Sequence, residues 1–441
     1  MFSPKQTIAT YLCTMKFEDY HISGKLKEQI AKQGFRRPTD IQYKAISPIL
    51  RGEDVLAIAQ TGTGKTAAFV IPILDILQKN KNERRTDGIK CVVMAPTREL
   101  VIQITEVFDT LSKKQNIKTL AIYGGVEQDP QIEKLTKGVD IVVATPGRMF
   151  DLINQLHLKL NRVNHLILDE ADHMLDLGFY KDIEDVKRYL PRKHQTLFFS
   201  ATINPRIKKL AHSLVNNPIR IQISPKDPVS KNVEHSVVFI EMEDKRFFLE
   251  RFINDEPDSK ILVFVRTKVR AERVRNAMDR VNIKSETIHG DIVQQHREKV
   301  LDNFRAGKNK ILIATDVTAR GIDIPDVDFV INYDLPDENP ETYVHRIGRT
   351  GRGKKKGIAV SFCSESEKEM LGRIEEFITK SVKVLDIDNN DYHDILFATT
   401  EKSDSLESMM KEIEEVEELR KKKSGKKKNK DKKKKDKKKK K

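Results

Sequence analysis

Three short stretches carry side chains whose types and spacing can do chemistry. The first, AQTGTGKT (59–66), follows an apolar run and opens a helical pattern. A glycine-rich turn between a strand and a helix presents backbone N–H groups at a helix N-terminus, where they cradle phosphates. Read in this way, Thr61, Gly62, Thr63 and Gly64 wrap a triphosphate, Lys65 reaches its β- and γ-phosphates, and the Thr66 hydroxyl ligates Mg²⁺. Position 59 is Ala where the general pattern has Gly. The second stretch is LILDEADHML (166–175), in which three carboxylates crowd the end of an apolar run. Such a cluster is costly unless a positive charge meets it. A helix dipole alone could satisfy it, but beside a phosphate loop the better answer is Mg²⁺ together with Lys65. Asp169 then holds the ion, partly through water, because Mg²⁺ dehydrates reluctantly. Glu170 orients or deprotonates the attacking water. Asp172 is expected to face Ser200 or Thr202 of SAT (200–202) and to couple the domains to the site. The third stretch, YVHRIGRTGR (343–352), spaces arginines by three among glycines that make a poor helix interior. Arg349 and Arg352 are expected to reach the γ-phosphate across a cleft, a device worth roughly 10³–10⁵ in rate. His345 is expected in the water network beside it. No two of His289, His296 and His345 have metal-ligand spacing.

The elements that must position these groups are legible as short apolar, β-branched runs separated by helical patterns. They fall at 54–59, 89–96, 118–125, 140–148, 165–172 and 195–202, and again at 260–267, 285–291, 310–316, 328–334 and 357–363. Strands alternating with helices predict an α/β fold with mostly parallel sheets. Nearly every run stops at a polar or glycine cluster, and ligands of open α/β sheets bind at the carboxyl ends of strands. A stretch rich in Pro, Asn, Ser and charge (216–232) reads as the linker between two domains. The partition is 1–223 for the first domain, 224–232 for the linker, 233–385 for the second domain, 386–419 for a partly helical extension, and 420–441 for a tail. In the extension, Leu406, Met409, Met410, Ile413 and Val416 share one helical face. The 403–419 segment is a candidate docking helix for a protein partner. No internal repeat of 20–50 residues is apparent.

The 441 residues carry a net charge of +15, with 81 basic and 66 acidic side chains. Residues 420–441 hold 17 of the basic and 2 of the acidic ones, which leaves 64 of each in the body. The tail therefore carries the whole excess. It has too little apolar content to bury a core and is expected to be disordered. It suits sequence-blind binding to a polyanion, with log K falling by roughly 0.7–0.9 per neutralised phosphate per decade of salt. Three scattered cysteines, with no CxxC, argue against structural zinc and fit a reducing compartment. No 18-residue apolar run or secretion pattern appears, so no membrane partner and a cytoplasmic location are expected, or the nucleus or nucleolus in a eukaryote.

From about residue 15 to 365 the chain resembles the DEAD-box RNA helicases of superfamily 2. GFRRPTDIQ (34–42), with Phe17 upstream, resembles the family's Q motif. The resemblance implies two tandem RecA-like domains, ATP as cofactor and RNA as partner. It implies that Gln42 reads the adenine edge, that Arg37 contacts the nucleotide and that Phe35 stacks on the base. PTREL (96–100), Gly124–Gly125 and TPGR (145–148) match its RNA-contact motifs, which assigns Pro96, Thr97, Arg98, Gly125, Thr145, Gly147 and Arg148 to RNA. In the second half, VFVRT (263–267), QQHR (294–297) and TDVTARGID (315–323) assign Arg266, Gln294, Arg297 and Thr315 to RNA. Gly321 and Asp323 go to the nucleotide, Asp323 through the ribose hydroxyls. Backbone N–H, hydroxyl and guanidinium donors suit phosphate and 2′-OH contacts but read no base edges, so little sequence specificity is expected of the core. Compact length and a basic tail place the chain near the bacterial RhlE-type subgroup.

Three functions compete. The first is an RNA-stimulated ATPase that separates short RNA duplexes. The second is a nucleotide-gated RNA clamp in ribonucleoprotein assembly, which strand displacement would distinguish. The third is a DNA motor, which equal stimulation of ATPase by DNA and RNA would favour.

Overall fold

In the computed structural model, residues 15–60, 62–80, 88–223, 229–230, 232–316, 327–337, 339–351 and 356–400 are described. They form two seven-stranded parallel sheets. The first holds β1 (Val55–Ala59), β2 (Cys91–Met94), β3 (Thr119–Ile122), β4 (Ile141–Ala144), β5 (His165–Leu168), β6 (Gln195–Ser200) and β7 (Ile219–Ile223), in the order β3-β4-β2-β5-β6-β1-β7. The second holds β8 (Val233–Phe239), β9 (Ile261–Val265), β10 (Glu286–Ile288), β11 (Ile311–Thr315), β12 (Phe329–Asn332), β13 (Gly357–Cys363) and β14 (Lys383–Val384). Its order, β10-β11-β9-β12-β13-β8-β14, is the first order with seven added to every label. One topology is used twice, and this is the tandem RecA-like arrangement.

The central strands are buried on both faces, so they read as continuous apolar runs rather than as alternations. Alternate side chains still go to opposite layers. Val55, Ala57 and Ala59 join one core, while Leu56 and Ile58 join the other. In the second sheet Leu262 and Phe264 face one helical layer, and Ile261, Val263 and Val265 face its opposite. Each fully buried aliphatic side chain stabilises the fold by about 1.5–3 kcal/mol. This makes the sheets a rigid base for the loops at their carboxyl edges.

Part of the stretch read as linker belongs to the first sheet. Residues 219–223, IRIQI, pair with β1 from Val55↔Ile219 to Ala59↔Ile223. Only the central isoleucine of this edge strand is buried, so its apolar signal is weak. The helix Asn389–Thr400 packs on the helix Lys245–Asp255. The Tyr392 hydroxyl donates to Asp244 at 2.8 Å, and its ring lies 4.9 Å from that of Phe248. The expected docking helix at 403–419 and the basic tail lie outside the described residues. Among the described residues no helix is long and apolar enough to cross a membrane.

Candidate functional site

The strand order brings the first two motifs together. β6 lies between β5 and β1, with Leu168 beside Phe198 and Ser200 beside Ile58. The loops after β5, β6 and β1 therefore leave the sheet as three neighbours. After β1, Gly62 (φ +79°) and Gly64 (φ +92°) turn the chain into the helix Lys65–Asn80. A Cβ on Gly64 would lie 2.5 Å from the Gln42 amide nitrogen, so glycine is required there twice over. Gln42 Nε2 donates to the Gly64 carbonyl at 3.1 Å, and its Oε1 accepts from the Thr39 amide at 2.9 Å. The residue expected to read the base is thus also a strut for the phosphate loop. Thr63 Oγ1 closes the turn on the Gln60 carbonyl at 2.7 Å, and Thr66 is half-buried in the first helical turn. Lys65 is 6% exposed, and its ammonium is buried with no hydrogen-bond partner among the described residues. An orphaned cation at a glycine-lined helix N-terminus fits a bound polyphosphate.

Asp169 is 2% exposed and accepts a hydrogen bond from the Glu170 amide at 3.0 Å. Burial pushes its carboxyl up to about 6, against the pull of Lys65 and with the help of Glu170 and Asp172. A carboxylate in that condition gains from meeting a cation. Glu170 sits at φ +50°, ψ +51°, a left-handed conformation that costs a non-glycine residue about 1–2 kcal/mol. Burial alone would raise its pKa, but the His173 hydrogen bond and the charges of His173, Lys65 and Arg349 outweigh it and hold it at about 2. Asp172 Oδ2 accepts from the amides of Ala201 and Thr202, each at 3.0 Å. Its expected link to SAT runs through this backbone. The Ser200 hydroxyl takes no part in it and has no hydrogen-bond partner among the described residues.

From the second domain, Arg349 (5% exposed) donates through Nε to the His345 carbonyl at 3.2 Å, and its charge is felt at Glu170. His345 is half-buried. The other arginine of this spacing, Arg346, does different work. It is 1% exposed and grips Asp316 through two bonds of 2.6 and 2.7 Å, with a third to the Asp334 carbonyl at 2.6 Å. Glu341 leans on the SAT loop. Burial and, after it, the charge of Asp172 raise its carboxyl. Thr61, Gly321, Asp323 and Arg352 lie outside the described residues.

Some of the residues assigned to RNA meet across the two domains. Pro96 is buried, and Thr97 caps the helix Arg98–Leu111 by accepting from the Leu100 amide at 3.3 Å. Arg98 donates to Gln294 Oε1 at 3.1 Å, 196 residues away, and a Cβ on Gly125 would collide with its guanidinium. Beside it Arg297 pairs with Glu99 at 3.0 Å. Thr145 precedes the helix Pro146–Asn154, Gly147 is exposed, and Arg148 donates to the Val126 carbonyl at 2.9 Å. Thr315 is buried at the end of β11. Phe35 is 40% exposed, with its ring 6.3 Å from Phe17, and Arg37 is exposed.

Sequence reasoning missed the support beneath Arg266. Lys245 is fully buried and donates to Glu367 at 2.5 Å, to the Tyr333 carbonyl at 2.8 Å and to the Phe362 carbonyl at 3.0 Å. The other Glu367 oxygen accepts from Arg266 at 2.7 Å. Asp337 also pairs with Arg266, and Asp334 pairs with Arg270 at 3.2 Å. No local motif marks Lys245 or Glu367, because their partners come from distant strand ends.

Two RecA-like domains, with a glycine loop and carboxylates on one and an arginine from the other, fit a nucleoside triphosphatase. Residues 39–210 match the DEAD/DEAH box helicase family, and residues 244–354 match the helicase conserved C-terminal domain. The chain belongs to the DEAD-box family of ATP-dependent RNA helicases. It is 40% identical over 370 residues to the ATP-dependent RNA helicase CshA of Listeria monocytogenes, covering 84% of this chain and 70% of that protein. Against the DEAD-box ATP-dependent RNA helicase CshA of Bacillus subtilis it is 40% identical over 365 residues, covering 82% and 72%. In structure it resembles S. cerevisiae Dbp5 bound to RNA and ADP BeF3 (TM-score 0.76, 30% identity, 88% of this chain and 99% of that one). It also resembles DEAD-box helicase Mss116 bound to ssRNA and UDP-BeF (TM-score 0.77, 28% identity, 87% and 82%). These relatives are named CshA and not RhlE, so the expectation of an RhlE-type subgroup gains no support.

Proposed function

We propose that the chain separates short RNA duplexes by closing its two domains over ATP and RNA, and that hydrolysis reopens them. The reading is supported above all by the Lys65 ammonium at the glycine loop, without a partner among the described residues, beside Asp169 and Glu170, the latter of which also feels Arg349 of the second domain. Amides of Gly62, Thr63 and Gly64 and the Lys65 ammonium bind the phosphates. Phe35, Arg37 and Gln42 serve the base, and through Gly64 the base site is braced against the phosphate loop. Thr66 and Asp169 would hold Mg²⁺, which when bound neutralises phosphate charge. Among the described residues no cluster of three protein ligands exists, as suits an ion that keeps waters and phosphate oxygens. Glu170, held low against burial by the His173 hydrogen bond and nearby cations, orients or deprotonates the attacking water. Arg349, with Arg352, meets the charge that develops on the transferred phosphoryl group. Asp172 ties this site to SAT.

RNA lies along Arg98, Gly125, Thr145, Gly147 and Arg148 of the first domain and Arg266, Gln294, Arg297 and Thr315 of the second, gripped by its phosphates and 2′-hydroxyls. Both ligands favour the closed state, and that shared preference couples them. A cytoplasmic place of action belongs to this reading and is supported by the bacterial relatives.

Two variants test it. Lys65→Ala abolishes ATP turnover, and full ATPase in that variant would refute the phosphate-loop assignment. Glu170→Gln binds ATP and RNA and holds the closed complex, and prompt RNA release from it in ATP would remove Glu170 from its role. Strand displacement in the wild type separates a helicase from a clamp.

A further inference from the structure

The ATP and RNA motifs follow the carboxyl ends of strands, and the amino ends of the same strands make the opposite edge of each sheet. On the first sheet that amino edge is electropositive. β5 and β6 are neighbours that start at the pair His165↔Gln195. The segments that lead into them, 155–164 and 186–194, carry Lys159, Arg162, Lys187, Arg188, Arg192 and Lys193 and not one Asp or Glu. All six residues are exposed. The two segments are fastened together: the Gln195 amide donates to the Asn164 carbonyl at 2.8 Å, and His165 Nδ1 lies 2.9 Å from Gln195 Oε1. Adjacent strands run about 4.8 Å apart, so these charges share one surface. The carboxylates nearest to it are engaged elsewhere. Asp54 accepts from the amides of Thr196 (2.8 Å) and Asn216 (2.7 Å), Glu53 pairs with Arg51 at 3.0 Å, and Asp185 pairs with Arg188 at 3.2 Å. Among the described residues Lys159, Lys187, Arg192 and Lys193 form no ion pair. The second sheet differs, because at its amino edge Lys310 pairs with Asp258 at 2.8 Å and Arg305 with Asp302 at 3.2 Å. Within the basic surface Tyr189 is 39% exposed, its ring 5.9 Å from that of Phe150.

We propose that this edge of the first domain is a second RNA-binding surface, which takes the phosphate backbone of RNA that runs on beyond the strand held in the core. The inference rests on the RNA reading above. Exposed cations without counter-charges bind a phosphate backbone by displacing its condensed counterions, a sequence-blind attraction. Tyr189 adds a ring on which an unpaired base stacks. β6 spans six residues, which at about 3.3 Å each sets the patch roughly 20 Å from the loops at the carboxyl edge. At about 3.4 Å per nucleotide, only RNA on the order of ten nucleotides longer than the core's own footprint reaches both. The patch therefore favours long RNA over short strands. An acidic protein segment would meet the same charge, but RNA held in the core is already within reach and also suits Tyr189.

The test uses the full chain and reads RNA-stimulated ATPase with two unstructured RNAs, one of about ten nucleotides and one of about forty. Arg192→Ala/Lys193→Ala is expected to raise the long-RNA concentration for half-maximal ATPase about three- to tenfold at low salt and to lower its salt slope by about one to two. Its response to the short RNA and its rate at saturating long RNA are expected to match the wild type. Lys284→Ala/Lys308→Ala removes the same charge from exposed positions at the amino edge of the second sheet and is expected to behave as the wild type with both RNAs. An unchanged long-RNA response in the first variant, an equal loss in the second, or a loss that extends to the short RNA would each overturn the proposal. If that unchanged response came with loss of polyglutamate binding, the patch would belong to an acidic protein instead. A wild-type chain that neither RNA stimulates would strike the function on which the inference rests.

Discussion

Replacing Lys245 with Met puts a number on the support beneath the RNA face. The cluster around it holds three cations (Lys245, Arg266, Arg270) and three anions (Glu367, Asp334, Asp337), so its charges balance. Burial pushes the Lys245 pKa down, while Glu367 and Asp334 pull it back up. Methionine fills a similar volume, so the loss reports charge rather than a cavity. Lys245→Met leaves one buried negative charge uncompensated, which costs about 3–5 kcal/mol. For a domain of roughly 150–250 residues, each kcal/mol moves Tm by about 2–4 °C. Scanning calorimetry near neutral pH should then show one transition lowered by about 6–20 °C. Adding Glu367→Gln to Lys245→Met removes the stranded charge and should restore part of the loss. A single variant melting within about 2 °C of the wild type, or a double variant no better than the single, would refute the reasoning.

Two further outcomes follow from the charges. Burial raises the Asp169 carboxyl from 3.8 to about 6 in the folded, metal-free chain, so its stabilising contribution is full below the lower value and is lost as pH rises through the higher one. Relative to Asp169→Asn, the metal-free wild type should gain about 1–1.5 kcal/mol between about pH 7.5 and about pH 5, read by urea melts; parallel pH profiles would contradict this. Deleting residues 420–441, which hold 17 basic side chains, should raise the RNA concentration for half-maximal ATPase at low salt and flatten its salt dependence; an unchanged salt slope would reject the tail as an RNA tether.

Much of the site was legible because its signals are local. Eleven of the fourteen strands were visible as apolar runs because both faces of each sheet are covered; the edge strands β7 and β14, exposed over most of their length, and the partly exposed β8 were not read as strands. Less could be read where one spacing serves two ends. Arg346 and Arg349 stand in the same arginine repeat, yet one is spent on Asp316 and the other lies within the field of Glu170. His173 was in plain view beside the carboxylates, but nothing in its neighbours said that one ring nitrogen would meet Glu170 and the other find no partner among the described residues.

By itself the amino-acid sequence determined the pieces: a turn that only glycine can make at positions 62 and 64, a cation and carboxylates at the ends of buried strands, and a strongly basic C-terminal stretch. Backbone sterics and hydrophobic burial act over a few residues, so those choices are written where they operate. Tertiary structure decided which pieces meet. The order β5-β6-β1 seats three loops side by side, Gln42 braces Gly64, Arg98 reaches Gln294, and Lys245 anchors Glu367. Such pairings depend on how the sheets wind and how the domains close, and no short run of residues carries that information.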